Sequence, residues 1–303
     1  MRANSLIIIL LLFYFFTKAQ KCELSYTNEV KKITINDSLT IAYKEQGEGK
    51  KTFLMVHGLG GNLTHWKNNL IENQHCIAID LPAYGISTMK NFQPKIDLLD
   101  FYAETILAFI QKKKLQNVVL IGHSMGGQIA IITALKNHKS IKKLILVSPA
   151  GFETFEDSEA KALMSFAKPE TFKNQNEAMV RMGFNRNFYE IPTSTETLIQ
   201  DRLMMAKCEN FNPYFQAVAN GVKGMLEHQV RKELNKIKVP TLVIFGENDE
   251  LIPNKFLHKS LTINQVAYSG KEIPNSKIVL IPKAGHLVMY EQSQFFNQLV
   301  KRF

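Results

Sequence analysis

The chain has 303 residues, of which 45% are hydrophobic and 21% charged. That length suits one large domain or a domain carrying an insertion, and the composition excludes the disordered, collagenous and disulfide-scaffold classes. The formal charge of +10 comes from scattered lysines and arginines, with one weak cluster at Lys112, Lys113 and Lys114; no nucleic-acid motif accompanies it, and it fits a solvated surface or weak association with a membrane or lipid surface.

Met1 and Arg2 precede eleven uncharged, almost wholly apolar residues at 6–16, and Thr17-Lys18-Ala19 follows. This pattern predicts a secretory signal peptide over residues 1–19, cut after Ala19, and so an exported protein, periplasmic or secreted. Eleven residues rise only about 16 Å as a helix, short of the roughly twenty that span a bilayer. Gln20-Lys21 is too large and polar for lipoprotein processing at Cys22. Cys22, Cys76 and Cys208 are odd in number and widely spaced, which gives no disulfide framework and no CxxC metal pair. Cys76 reads as a small buried hydrophobe, a Cys22–Cys208 bridge stays open, and no metal or cofactor is implied.

Past the signal, residues 32–35 and 39–43 are β-prone runs around Asn36-Asp37-Ser38, which predicts an antiparallel hairpin. Apolar runs then recur at 52–56, 76–79, 118–121, 144–147, 242–245 and 277–281. Continuous Val, Ile and Leu without alternation marks parallel strands covered on both faces. Helical stretches alternate with them. In 96–111, Leu99, Ala103, Ile106 and Ile110 form one stripe; 124–136 and 291–301 are two more helices. The alternation predicts an α/β fold with a doubly wound, mostly parallel sheet and flanking helices.

One interval breaks the rhythm. Residues 152–236 show helix-like segments punctuated by Pro169, Pro192 and Pro213 and hold six of the eleven methionines. They read as a helical cap inserted into a core made of residues 20–151 and 237–303.

The run at 118–121 leads straight into Gly122-His123-Ser124-Met125-Gly126-Gly127 and then a helix. G-x-S-x-G arises often by chance; between strand and helix it is a nucleophile elbow, which projects the Ser124 hydroxyl above the sheet. A serine hydroxyl needs a base. Of eight histidines, His286 lies just past the last apolar run and can reach the top of the sheet. His57 sits in a glycine-rich turn and reads as packing, while His123 should point away from Ser124. His138 and His258 fall in predicted surface helices, and His228 falls in the cap. His65 and His75 precede or flank the second buried strand. The base needs a carboxylate to fix its tautomer. Asp249 follows the run at 242–245, with Glu247 and Glu250 as fallbacks. Two backbone N–H donors must face the tetrahedral oxyanion: Met125, after the nucleophile, and Leu59 in the loop His57-Gly58-Leu59-Gly60-Gly61, with Gly60 close behind.

These segments together resemble the α/β-hydrolase fold family in its capped, lipase- and esterase-like branch. His57-Gly58 and Asp80-Leu81-Pro82-Ala83-Tyr84-Gly85-Ile86-Ser87 are similar to the family's HG and D-x-P-G-x-G-x-S segments, and the elbow, Gly246-Glu247-Asn248-Asp249 and Gly285-His286 match too. Ala83 departs from the usual glycine, and the resemblance makes Asp80 structural. Some relatives place the acid after the strand preceding the cap, but the loop at 148–151 has none. Serine at 124, where dehalogenases and epoxide hydrolases carry aspartate, disfavours those activities. Leu287 and Val288, where carbon–carbon bond hydrolases usually have tryptophan, weaken that reading and favour monoacylglycerol lipases and small esterases. The resemblance thus implies a serine hydrolase acting on a small or lipid-like ester. The alternatives are a C–C bond or thioester hydrolase with the same triad, or a non-catalytic small-molecule-binding protein. The Met- and Phe-rich cap suits an acyl chain or serves as the cap's own core; neither that choice nor the oligomeric state is legible.

Overall fold

The computed structural model describes residues 22–26, 30–90 and 97–303; the expected signal peptide, residues 1–19, lies outside them. Strands β1 (Lys31–Asn36) and β2 (Leu39–Gln46) form the expected antiparallel hairpin, closed where Asn36 Oδ1 accepts the Ser38 N–H at 3.0 Å. Then come β3 (Thr52–Val56), β4 (His75–Ile79), the two-residue β5 (Thr88–Met89), β6 (Val118–His123), β7 (Ile141–Val147), β8 (Thr241–Gly246) and β9 (Ser276–Ile281). The sheet order is β1-β2-β4-β3-β6-β7-β8-β9, with β5 on β2, and every pair from β4 to β9 is parallel. Its β9 edge is only half-covered, unlike the fully buried strand expected there, because among the described residues β8 is the one strand it pairs with.

Alternate residues of each central strand feed two cores. Leu54, Val56, Leu120 and Leu146 pack on one face with α1 (Leu98–Lys112) and α2 (Met125–Leu135). Phe53, Met55, Val119 and Ile121 pack on the other with the buried Trp66. Burial on both faces removes the polar alternation of a half-exposed strand.

Between β7 and β8 there are only helices: α3 (Asp157–Phe166), α4 (Pro169–Lys173), α5 (Glu177–Asn185), α6 (Glu196–Ala206) and α7 (Asn212–Glu227), with short 3₁₀ turns. Pro169 and Pro213 sit in the first turns of α4 and α7, where a missing N–H costs nothing. The chain ends with α8 (Ile263–Tyr268), α9 (Val288–Glu291) and α10 (Ser293–Arg302), the last of which packs Phe296 and Val300 into the second core. Cys22 and Cys208 form a disulfide that ties the start of the described chain to the end of α6, and Cys76 is buried and free. His138 and His258 lie in loops and not in helices.

The chain reverses direction across the sheet at β3: β4 follows on one side and β6 returns on the other. In open α/β sheets the crevice outside the carboxyl ends of the strands at such a switch is where ligands bind. The register puts those ends level, with Val56 opposite Gly122 and His123 opposite Val147.

Asp80, at the end of β4, organises the adjoining turn. Its Oδ1 accepts the Leu63 N–H at 2.7 Å, and its Oδ2 accepts the Ile86 N–H and the Tyr26 hydroxyl, each at 2.9 Å. In this turn Ala83 has φ 66°, a left-handed conformation that costs an L-residue about 1–2 kcal/mol. Glycine removes that cost but adds unfolded-state entropy. Ala83→Gly is expected to stabilise the fold by about 0.5–1 kcal/mol, raising Tm by roughly 1–4 °C. Calorimetry showing a lower Tm would mean that the lost methyl contacts dominate.

Candidate active site

Ser124 stands between β6 and α2 with φ 53° and ψ −120°. The turn is held from all sides: its N–H donates to Val147 O at 2.9 Å, and its carbonyl accepts the N–H groups of Gly127 and Ala150 at 2.8 and 3.0 Å. The flanking glycines are dictated by contact. A Cβ on Gly122 would lie 2.2 Å from Gly126 O, and one on Gly126 would lie 2.4 Å from His57 O. The strained serine is therefore fixed by packing of the elbow against the end of β3.

Gly246 plays a similar part at the end of β8, where a Cβ would lie 2.2 Å from Gly285 O. The two loops that follow β8 and β9 consequently cross in contact, joined by Asn248 N–H to Ala284 O at 2.9 Å. That crossing brings His286 Nδ1 within 2.7 Å of Asp249 Oδ2, with both side chains buried. The other oxygen, Asp249 Oδ1, accepts the backbone N–H groups of Leu251 and Ile252 at 2.8 and 3.0 Å. Glu247 and Glu250, the fallback acids, are exposed.

Ser124 and His286 line one cavity of about 370 Å³, walled by Leu59, Leu163 and Met225 among others. A second cavity of about 270 Å³ shares Leu59, His65 and Asn187 with it. Among the described residues none accepts a hydrogen bond from the backbone N–H of Leu59, Gly60 or Met125. Leu59 and Gly60 occupy the middle of a turn closed by Gly61 N–H to Gly58 O at 3.1 Å, with Gly60 at φ 69°, the positive value a type II turn requires at its third position.

The other histidines divide by environment. His57 is wholly buried; its Nε2 accepts the Leu81 N–H at 3.1 Å while its Nδ1–H donates to Gly58 O at 2.8 Å, which only a neutral ring can do. Burial lowers its pKa to about 4. His123 lines the same cavity as Ser124; its Nε2–H donates to His286 O at 3.0 Å and its ring lies 4.7 Å from the His286 ring. Burial also holds it well below the ordinary value. His65, taken from the sequence as a mere neighbour of a strand, is buried and lines both cavities, and its Nδ1 has no partner. Burial pushes its pKa down to about 3. His75 bridges Thr52 and Glu45, His228 pairs with Asp97, and His258 pairs with Glu153.

These buried rings make stability depend on pH. An unfolded chain protonates histidine below about pH 6.5, whereas the folded chain leaves His57 neutral to about 4 and His65 to about 3. The unfolded state then binds more protons, so each ring costs about 1.4 kcal/mol per pH unit in that window. Asp80 acts oppositely. Burial raises its pKa to about 6, so its contribution is present at low pH and lost as pH rises through 6. Glu153 and Asp201, whose pKa values burial also raises, act in the same sense as Asp80. The three buried rings, His57, His65 and His123, outweigh these carboxyls, and Tm is expected to fall by several degrees between pH 6.5 and 4.5. A flat Tm across that range in a thermal melt series would show that the rings protonate without unfolding.

Several wall residues escaped the sequence reading. Glu153, buried where the loop after β7 turns under the cap, lines the larger cavity, and its Oε1 accepts the Asn254 N–H at 2.7 Å. Burial raises its pKa. Glu291 accepts the N–H groups of Gly285 and Glu190 at 2.8 and 2.7 Å, fastening the His286 loop to the cap. Of the cap's sulfur and aromatic residues, Phe155 and Met225 line the larger cavity and Phe172, Met179, Phe184 and Tyr214 the smaller, while Phe166 and Met182 are exposed. Among the described residues no group of three or more His, Cys, Asp or Glu could hold a metal ion.

A mostly parallel sheet with a strained Gly-x-Ser-x-Gly turn at its switch point defines a class, and residues 51–293 match the model of the alpha/beta hydrolase fold family. The chain belongs to that family and is a hydrolase of it. It is 26% identical, over 279 residues, to a 2-hydroxy-6-oxononadienedioate/2-hydroxy-6-oxononatrienedioate hydrolase of Paraburkholderia phymatum, covering 88% of this chain and 91% of that one. It is 27% identical, over 265 residues, to the dihydrolipoyllysine-residue acetyltransferase component of an acetoin cleaving system from Pseudomonas putida. That match covers 85% of this chain but spans only 64% of the relative's length. Among solved structures, a thermophilic esterase aligns with a TM-score of 0.64 at 26% identity, covering 91% of this chain and 96% of that one.

Proposed function

We propose that the protein is an exported serine hydrolase that cleaves carboxylic ester bonds through an acyl-enzyme on Ser124. The observation that carries this reading is the His286–Asp249 hydrogen bond at 2.7 Å, with His286 and Ser124 on the wall of one cavity. In the proposed reaction Ser124 Oγ attacks the ester carbonyl carbon while His286 Nε2 takes its proton, and Asp249 holds Nδ1–H and steadies the imidazolium. The carbonyl oxygen becomes an oxyanion facing the N–H groups of Leu59 and Met125. The C–O bond then breaks, His286 returns the proton to the leaving alcohol, and water attacks the acyl-enzyme by the reverse route to free the acid. The signal-like residues 1–19 and the Cys22–Cys208 bridge support export, since disulfides persist in oxidising compartments.

A panel of p-nitrophenyl and monoacylglycerol esters of rising chain length tests the reading, together with a fluorophosphonate probe. Labelling at Ser124 with turnover of the panel supports it; folded protein that neither labels nor turns over any ester overturns it.

One feature favours a second reading, a hydrolase of a carbon–carbon bond in an anionic substrate. Arg202 lines the smaller cavity with its Nη1 buried and without a hydrogen-bond partner, and such a guanidinium suits a carboxylate. The relative from Paraburkholderia phymatum is named for a dioate substrate. Cleavage of such a dienedioate with no ester turnover would select this reading.

A further inference from the structure

We propose that cap helix α7 is a positioning element of the oxyanion hole and that Tyr214 is the residue through which it acts. The inference rests on the serine hydrolase reading above and adds a cap residue to that site. The Tyr214 hydroxyl donates to Gly60 O at 2.8 Å. Gly60 and Gly61 are adjacent glycines, which restrain their own backbone least of all residues. The peptide between them is therefore held from outside at both ends: its N–H by Gly58 O at 3.1 Å and its C=O by Tyr214. Pinning that peptide fixes the frame from which the Leu59 and Gly60 N–H groups project.

A second contact on the same helix points to the same role. Gly221 lies seven residues on, two turns along the same face. A Cβ there would lie 2.7 Å from Leu59 Cδ1 and 3.0 Å from Met125 Sδ. The α7 backbone thus presses on the side chains of both proposed donors, one from each side of the hole. Tyr214 is itself immobilised: its ring packs edge-on to Tyr84 and Phe215 at 5.6 and 5.1 Å, and the Arg202 guanidinium lies 5.8 Å from its ring centre. The far end of α7 is tied to the core by Gln128, whose Nε2 donates to Met225 O at 3.0 Å. Turnover consequently depends on a docked α7, and the cap takes part in the chemistry as well as in enclosing the substrate.

Tyr214→Phe keeps the ring and removes only the hydroxyl. In the mature enzyme it is expected to lower kcat about tenfold with KM within about twofold, less than deletion of an oxyanion donor itself. A trifluoromethyl ketone, whose tetrahedral adduct loads the hole, should bind more weakly by the same factor. Gly221→Ala should lower kcat in the same way by displacing Leu59 and Met125, and it serves as the second variant if Tyr214→Phe folds poorly. Wild-type kcat and ketone affinity in Tyr214→Phe would overturn the inference, as would a raised KM at unchanged kcat or a lowered Tm with full activity. Wild-type protein that fails to label at Ser124 would instead overturn the hydrolase reading and take this inference with it.

Discussion

Ser124→Ala is expected to lower kcat for the best ester by roughly 10⁵-fold or more, and His286→Ala by a similar factor. Neither should disturb the fold. Alanine at 124 meets the same left-handed backbone, accepts the same hydrogen bonds from Gly127 and Ala150 and donates the same one to Val147 O. What is lost is the oxygen that attacks, and with it the acyl-enzyme whose formation and hydrolysis His286 serves as base. The two residues therefore act as a unit, so the double variant should be no slower than either single one. Residual turnover should come from the cavity and the oxyanion donors alone. The checks are kcat for the three variants, fluorophosphonate labelling and a thermal melt. Ser124→Ala with more than about a tenth of wild-type kcat and a normal melt would remove Ser124 from the mechanism.

The parts of this site that were legible in the sequence are those built from short-range chemistry. Gly122-His123-Ser124-Met125-Gly126 can be read because each glycine answers to a contact within four residues or with one neighbouring strand. Asp249 and His286 can be read because they follow apolar runs, and a loop at a strand's carboxyl end faces the same side as every other such loop in a parallel sheet. The buried strands showed themselves as unbroken Val, Ile and Leu. The same logic misjudged the last one, since an apolar run does not disclose which strand ends the sheet, and β9 is an edge.

The rest depends on chain segments far apart in sequence. His65 stands in Asn62-Leu63-Thr64-His65-Trp66 with no periodicity to mark it, in a turn tied to Asp80, fifteen residues on, through the Leu63 N–H. Tyr214 and Arg202 reach the site through helices whose orientation follows from packing, and the prolines that punctuate the cap say only where helices begin. The Cys22–Cys208 pair, 186 residues apart, left its pairing open for the same reason. The methionines and phenylalanines of the cap divide between cavity wall, cap core and surface, a division that composition does not encode.

Asp249→Asn is the sharper test of the candidate triad, because the structure dictates which way the new amide must face. Asp249 Oδ1 already accepts two backbone N–H groups, from Leu251 and Ile252. An amide nitrogen cannot accept them, so the asparagine carbonyl must take that place and its NH₂ must occupy the position of Oδ2. That sets a donor 2.7 Å from His286 Nδ1. Nδ1 must then be the acceptor, and the imidazole proton moves to Nε2, the nitrogen that has to receive the proton of Ser124. Shape and volume are retained while the base holds the wrong tautomer. A loss of about 10⁴ in kcat is expected, with KM nearly unchanged and Tm lowered by no more than a few degrees. Glu247→Gln and Glu250→Gln, both at exposed positions, should leave kcat within about twofold. If Asp249→Asn kept kcat within about tenfold of wild type while Glu247→Gln or Glu250→Gln abolished turnover, the acid would have to be reassigned to that glutamate and the geometry of the His286 loop would differ in the working enzyme.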